Sequence, residues 1–220
     1  MFKKSKKTSG MAKGTSKFGA NMNFASAEAY NLLRTNLSFA FPGVEGGKVI
    51  GISSPCPQEG KSTTSINLSY SLAEAGNKVV LIDADMRRPS VAKNLDISAT
   101  PGLSNLLSSG AETAVREKIL HDNLSVMPAG SIPPNPSDLI SSDAMKSLVN
   151  ELRSQYDYVI IDLPPINLVS DSLAASQYTD GMIVVVRHDH TRRRDVVEAI
   201  RQLKLVNAKL LGFVYNGNFR

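Results

Sequence analysis

The chain has 220 residues, 42% of them hydrophobic and 20% charged, and a net charge of +5. That suffices for one α/β domain with a buried core and argues against a disordered chain. No apolar run approaches the roughly 20 residues of a membrane span, the basic N-terminus lacks the apolar segment of a secretory signal, and the single cysteine, Cys56, excludes an internal disulfide and fits a reducing compartment.

The positive charge is unevenly spread. Residues 1–17 hold Lys3, Lys4, Lys6, Lys7, Lys13 and Lys17 and no acid, which leaves the rest of the chain near −1. The basic pI therefore describes an arm, not a nucleic-acid-binding face, and no nucleic-acid partner is expected. The arm reads either as a solvated segment or as an attraction to anionic lipid headgroups, worth about 1 kcal/mol per Lys near the surface. Composition extends this flexible arm over residues 1–25 and leaves residues 26–220 as a single domain.

A helix is expected from an N-cap at Ser26, with Glu28 in its first turn and an apolar stripe of Tyr30, Leu33, Leu37 and Phe41, stopped by Pro42-Gly43. Glu28 and Arg34 fall off that stripe. Val49-Ile50-Gly51-Ile52 reads as a strand. The loop Ser53 to Thr64 follows, then a helix with Ile66, Tyr70 and Ala73 on one face and Gly76 at its end. Strand, loop and helix N-terminus are the context of a phosphate-binding loop, in which Lys61 reaches the β/γ-phosphates and the Ser62 hydroxyl meets Mg²⁺. Pro55 stands where the G-x-x-x-x-G-K-[ST] pattern has its first glycine, and Gly60-Lys61-Ser62 also fits an ordinary Pro-punctuated turn. Both readings stand on this stretch alone. Cys56 reads as a loop filler, with a redox role as the other reading.

Lys78 to Ile82 is an apolar strand followed by Asp83 and Asp85 and then Met86-Arg87-Arg88-Pro89. Strand alternation would point the two carboxylates opposite ways, so both can serve one site only if the chain turns there. One carboxylate near Mg²⁺ and one near an acceptor hydroxyl is a chemically sensible division. Between residues 90 and 123 two helices are expected, Gly102 to Leu107 stopped by Gly110, and one around Ala114 to Leu120. Leu124–Met127 reads as a strand, Pro128–Pro136 as a rigid loop, Asp138–Ser141 as a short helix, and Ala144–Gln155 as a longer one with Leu148 and Leu152 on one face. Tyr156 to Ile161 is a second buried strand ending in Asp162, the usual companion of a phosphate loop.

Gly181–Arg187 is a further strand. His188 and His190 flank Asp189 and could meet an ion, but no third ligand is evident and they read as surface loop residues; His121 also reads as exposed. Thr191 is the expected cap of a helix to about Val206. Arg192, Arg193 and Arg194 in its first turn form either a solvated face or a docking site for acidic segments or phosphates. Leu210–Asn216 is the last strand. Strands alternating with helices predict an α/β fold with a mainly parallel, doubly wound sheet.

These motifs, in this order, resemble the bacterial tyrosine kinases of capsule and exopolysaccharide synthesis. The resemblance is carried by Gln58-Glu59-Gly60-Lys61-Ser62-Thr63, by Leu81 to Pro89, by Val159-Ile160-Ile161-Asp162-Leu163-Pro164-Pro165, and by Pro128 to Ile140, and it covers roughly residues 26–217. It implies a P-loop fold related to the MinD/ParA ATPases. It implies ATP and Mg²⁺ as cofactors, bound by Gln58, Glu59, Gly60, Lys61, Ser62 and Thr63, with Asn216 near the adenine. It implies a metal and catalytic constellation of Ser62, Asp83, Asp85 and Asp162 around Lys61, and leaves open which of Asp83 and Asp85 is closer to a general base.

The resemblance further implies a protein-tyrosine autokinase that regulates polysaccharide synthesis and export with a transmembrane chain-length regulator, as a cytoplasmic protein at the inner face of the plasma membrane. Two features depart from the family. Its C-terminal tyrosine cluster has no counterpart in residues 217–220, and Tyr215, inside the last strand, is expected to be buried. Its subunit-contact motif E-x-x-R-x-x-R is present only as Glu28 and Arg34, with Asn31 in the middle place, so a homo-oligomer is expected through this helix with one bidentate pair fewer. A MinD/ParA-like ATPase switch that positions a partner is the alternative. A non-catalytic scaffold fits poorly, because Lys61, Asp83, Asp85 and Asp162 are all retained.

Overall fold

The computed structural model describes residues 18–110 and 114–217. Six strands, β1 (Lys48–Ser53), β2 (Val79–Asp83), β3 (Leu124–Met127), β4 (Tyr158–Asp162), β5 (Gly181–Arg187) and β6 (Leu210–Asn216), form one sheet in the order β3-β2-β4-β1-β5-β6. Every pairing is parallel. The connections carry α1 (Phe24–Ser38), α2 (Lys61–Glu74), α3 (Val91–Leu95), α4 (Leu103–Ser109), α5 (Pro136–Ser141), α6 (Asp143–Gln155), α7 (Asp171–Ala175) and α8 (Arg193–Leu205). The chain leaves β1 towards one edge of the sheet and returns through β5 and β6 to the other. The crevice at the carboxyl ends of β1, β2 and β4 is therefore where such a sheet binds ligands.

The strands are apolar on both faces because both faces are covered. Val49, Val80, Ile82, Val159 and Ile161 pack with Met145, Val149 and Leu152 of α6 and Ala199 and Leu203 of α8. Ile50, Ile52, Leu81 and Ile160 face the other way, against Ile66 and Leu72 of α2 and Leu37 of α1.

Several local expectations are corrected. The cap of α1 is Asn23, whose side chain accepts the Ser26 amide at 2.8 Å, so the helix begins before Ser26. Phe18 is buried and the Gly19 amide donates to Asn67 at 3.3 Å, so the chain is anchored to the domain at Phe18 and Gly19, ahead of α1; the lysine-rich residues 1–17 lie outside the described residues. Residues 114–120 are not a helix. Arg116 pairs antiparallel with Val126 of β3, Ile119 donates to the Leu124 carbonyl at 2.9 Å, and Lys118 and Leu120 have φ of 57° and 65°, which no α-helix accommodates. Pairing with a sheet edge here satisfies backbone groups a short helix would leave open.

His121 is half-buried, accepts the Asn123 amide on Nδ1 at 3.1 Å and meets the Tyr70 ring edge-on. Thr191 does not cap α8: its hydroxyl accepts the Arg187 amide at 2.8 Å and donates to Glu59, while Arg192 occupies the cap without a side-chain bond. Tyr215 is 48% exposed, because β6 is the last strand of the sheet. Among the described residues no helix is long and apolar enough to cross a membrane.

Candidate active site

The loop after β1 is shaped by two residues with positive φ, Gln58 at 63° and Gly60 at 92°. A Cβ on Gly60 would lie 2.1 Å from Asn216 Nδ2, so the glycine is required by both conformation and space. Three successive carbonyls of the loop turn outward onto the far end of the chain. Pro57 O accepts His190 Nε2 at 3.2 Å, Gln58 O accepts Arg187 Nη1 at 3.0 Å, and Glu59 O accepts Asn216 Nδ2 at 2.9 Å. Asn216, expected near an adenine, thus braces the loop. The Glu59 side chain is buried, accepting the Cys56 amide at 3.0 Å on one oxygen and the Thr191 hydroxyl on the other. Burial raises its carboxyl, and the bonds from Thr191 and Cys56 and the nearby His190 oppose that.

Lys61 opens α2. Its ammonium lies 2.8 Å from Asp85 Oδ2, 3.7 Å from Asp162 Oδ2 and 3.4 Å from Ser62 Oγ. Burial works against its charge, but Asp162 and Asp85 outweigh it and hold the lysine above its ordinary range. Asp162, at the end of β4, is fully buried and accepts Ser62 Oγ at 2.5 Å and Ser65 Oγ at 3.0 Å. Burial raises its carboxyl while Lys61 and Ser62 lower it, with a net upward shift.

The chain does turn after β2, and it gives the two aspartates different work. Asp83 accepts backbone amides only: Asp85 at 3.2 Å on one oxygen, Ser90 and Val91 at 3.1 and 3.0 Å on the other. It folds the β2–α3 turn back on itself. Burial and the neighbouring Asp162 push its carboxyl up to about 7, against the Val91 bond and Lys61. Asp85 accepts the Arg88 amide at 3.0 Å and presents its other oxygen to Lys61.

Lys61, Ser62, Thr63 and Asp85 line a cavity of about 610 Å³ together with Arg87 and Pro164. Asn216, Thr63 and Asn67 border a second one, of about 880 Å³, on the other side of the loop. Arg87 spans the rim of the first. Its Nε donates to Asp171 Oδ2 at 3.0 Å and its Nη2 to Ser137 Oγ at 2.8 Å, while Ser137 donates to Asp171 Oδ1 at 2.7 Å. Asp171 is fully buried. The Leu81–Pro89 and Pro128–Ile140 stretches, far apart in sequence, therefore meet at one side chain.

Sequence reasoning missed Asp171, Ser65, Arg187 and His190 as parts of this site. Ser65 sits on α2 one turn after Lys61 and joins the site through Asp162, 97 residues on, while Asp171, Arg187 and His190 reach it from other elements, and no local pattern marks them. Among the described residues, no group of three His, Cys, Asp or Glu side chains is disposed to enclose a metal ion. Magnesium sites seldom use such a cage, relying on one or two carboxylates with phosphate and water.

Residues 47–212 match the model of the AAA domain family. The tyrosine-protein kinase YwqD of Bacillus subtilis is 40% identical over 87% of this chain and 81% of its own length. The tyrosine-protein kinase CpsD of Streptococcus agalactiae is 37% identical over 86% of this chain and 81% of its own. The chain belongs to the bacterial tyrosine kinases. The solved kinase domain of the Escherichia coli tyrosine kinase ETK superposes with a TM-score of 0.83 at 30% identity, covering 87% of this chain and 75% of that one. This kinase is thus a tyrosine-protein kinase on a P-loop fold, and the ATPase switch is not favoured.

Proposed function

We propose that this kinase transfers the γ-phosphoryl of ATP–Mg²⁺ to a tyrosine hydroxyl through Lys61, Ser62, Asp85 and Asp162. The observation that carries the reading is one lysine at the N-terminus of α2 with Ser62, Asp85 and Asp162 about it. The donor set suits magnesium: the Ser62 hydroxyl and the Asp162 carboxylate sit together beside a helix N-terminus that favours phosphate. Held by Ser62 and Asp162, the ion would supply neutralisation of the charge that grows on the transferring phosphoryl group.

Of the two β2 aspartates, Asp85 is the better base. It borders the cavity beside Arg87, whereas Asp83 is spent on backbone amides. As Lys61 moves from Asp85 to a phosphate oxygen, the freed Asp85 carboxylate can accept the hydrogen of an incoming phenol. Transfer is then positioning and charge neutralisation, with little covalent work for the protein.

The same reading places the kinase in capsular and exopolysaccharide synthesis with a transmembrane chain-length regulator, at the inner face of the plasma membrane and helped there by the lysine-rich arm. It assembles through α1, which exposes Phe24 and Leu32 one turn either side of Glu28, with Phe39 exposed just past the helix end; Arg34 is held within the chain, donating to Ser71 O at 2.7 Å. The test is phosphotyrosine mapping after incubation with ATP and Mg²⁺, with and without the cytoplasmic tail of a regulator. Phosphate that disappears in Lys61→Met is expected. Undiminished transfer by Lys61→Met would remove this site from consideration.

A further inference from the structure

The cavity beside Lys61 has walls of two kinds. One is apolar and comes from the segment after β4, with Pro164, Pro165, Leu168 and Val169. The prolines are buried, Val169 is half-buried, and Leu168 is 60% exposed. This segment is pinned to the phosphate loop. The Ile166 and Asn167 amides donate to Ser54 O and Pro55 O at 2.8 and 3.3 Å, and the Ile166 side chain is buried in the core. The apolar wall is therefore held in place relative to Lys61, and it offers a flat ring a surface to lie on.

The other wall is basic. Lys61, Arg87 and Arg88 line it against one acid, Asp85, among the described residues. Lys61 is paired with Asp85, and Arg87 with Asp171 and Ser137. Arg88 is exposed and makes no ion pair among the described residues. Its own amide donates to Asp85 Oδ1 at 3.0 Å, so the residue that holds the proposed base also carries this spare cation. On an extended chain the residues one and two places from a tyrosine lie about 4 to 7 Å from it, a span an arginine side chain covers. A guanidinium meets a carboxylate there as a planar fork.

We propose that this kinase selects tyrosines flanked by Asp or Glu, with Pro165, Leu168 and Val169 as the platform for the phenol ring and Arg88 as the reader of the acidic neighbour. The proposal rests on the kinase reading above and keeps Asp85 as its base. Charge complementarity argues for this occupant: an acidic segment neutralises Arg88, whereas a neutral one leaves it without a partner and a basic one is repelled. The contact is made before transfer as well as during it, so it acts on KM rather than on kcat.

The test offers the enzyme, with ATP and Mg²⁺ at low salt, two synthetic peptides that differ only beside one tyrosine, Glu on both sides in one and Gln in the other. KM for the Glu peptide should be lower by about fivefold, and about 1 M salt should erase most of that difference. In Arg88→Glu the order should invert, with a Lys-flanked peptide preferred to the Glu-flanked one; comparing peptides within one variant cancels any loss of fold or rate. Leu168→Ser should raise KM for the Glu and Gln peptides alike, by about threefold, and leave their ratio as it was. Equal KM values in the wild type, with both peptides phosphorylated, overturn the proposal and leave the kinase reading intact. Phosphate on neither peptide overturns both. A Glu preference that survives in Arg88→Glu overturns the role given to Arg88, and an unchanged KM in Leu168→Ser overturns the platform.

Discussion

The ammonium of Lys61 rests 2.8 Å from the carboxylate of Asp85, the residue it must leave to hold a phosphate. Before nucleotide arrives, the lysine is the counter-charge of three buried carboxylates, Asp83, Asp85 and Asp162. Lys61→Met should therefore do two things. Phosphoryl transfer to a Glu-Tyr copolymer should fall by about 100-fold or more, since a positioned cation on the transferring group is lost. The fold should also lose on the order of 3 kcal/mol, because removing one partner of a buried cluster leaves its charges uncompensated. Steady-state rates and urea denaturation at pH 7.5 read the two effects separately. Wild-type stability in the variant would show that Lys61 does not neutralise the cluster.

Asp83 gives the apo protein a pH dependence with a definite sign. Its carboxyl is raised from 3.8 to about 7 in the folded chain, first by burial and then by Asp162. The native state thus binds this proton more tightly than the unfolded chain. That contribution is present at low pH and is lost as pH rises through the folded value, at up to about 1.4 kcal/mol per pH unit within the window. Asp83→Asn should flatten the decline between pH 5 and pH 8. It should also cost about 1 kcal/mol at pH 5, since Asn keeps one acceptor oxygen where Asp83 meets backbone amides with both of its own. Urea titrations across that range check both points, and equal slopes in the two proteins would count against the assignment.

The sheet and the core of the site were readable because their signals are local. Apolar runs ending in Asp83 and Asp162, and a glycine–lysine–serine at a strand-to-helix junction, need no tertiary knowledge. What escaped was set by distant partners. The stretch 114–120 has helical composition but pairs with β3, and Thr191 looks like a cap but serves Glu59. Tyr215 has the sequence of a buried strand residue, and only the strand order shows it at an edge. Asp171 carries no local mark at all, yet it fixes the arginine at the rim of the cavity.

The Arg87–Asp171 pair should respond unequally to its two single substitutions. Asp171 is fully buried, and its oxygens are met by Arg87 and Ser137. The Arg87 side chain is 38% exposed and can be solvated if its partner is lost. Arg87→Met strands a carboxylate in the interior and should cost about 3 kcal/mol, whereas Asp171→Asn retains a neutral acceptor for the arginine and should cost about half that. Denaturant unfolding of the two variants orders them. Equal losses would mean that Asp171 has other compensation than Arg87.

The contact between Gly60 and Asn216 predicts coupling across the two ends of the domain. Gly60 has φ of 92°, and its missing Cβ would fall 2.1 Å from Asn216 Nδ2, the atom that donates to Glu59 O. Gly60→Ala carries two separable penalties, about 1–2 kcal/mol for an L-residue in the left-handed region and about 1 kcal/mol for expelling the Asn216 amide from its bond. Asn216→Ala by itself incurs only the second. ATP affinity by calorimetry should fall about tenfold or more in Gly60→Ala and less in Asn216→Ala. In the double variant the side chain in the way is already gone, so the loss should be no greater than in Gly60→Ala alone, a coupling of about 1 kcal/mol. Strictly additive losses would show that the asparagine is displaced without consequence and that the loop keeps its shape by other means.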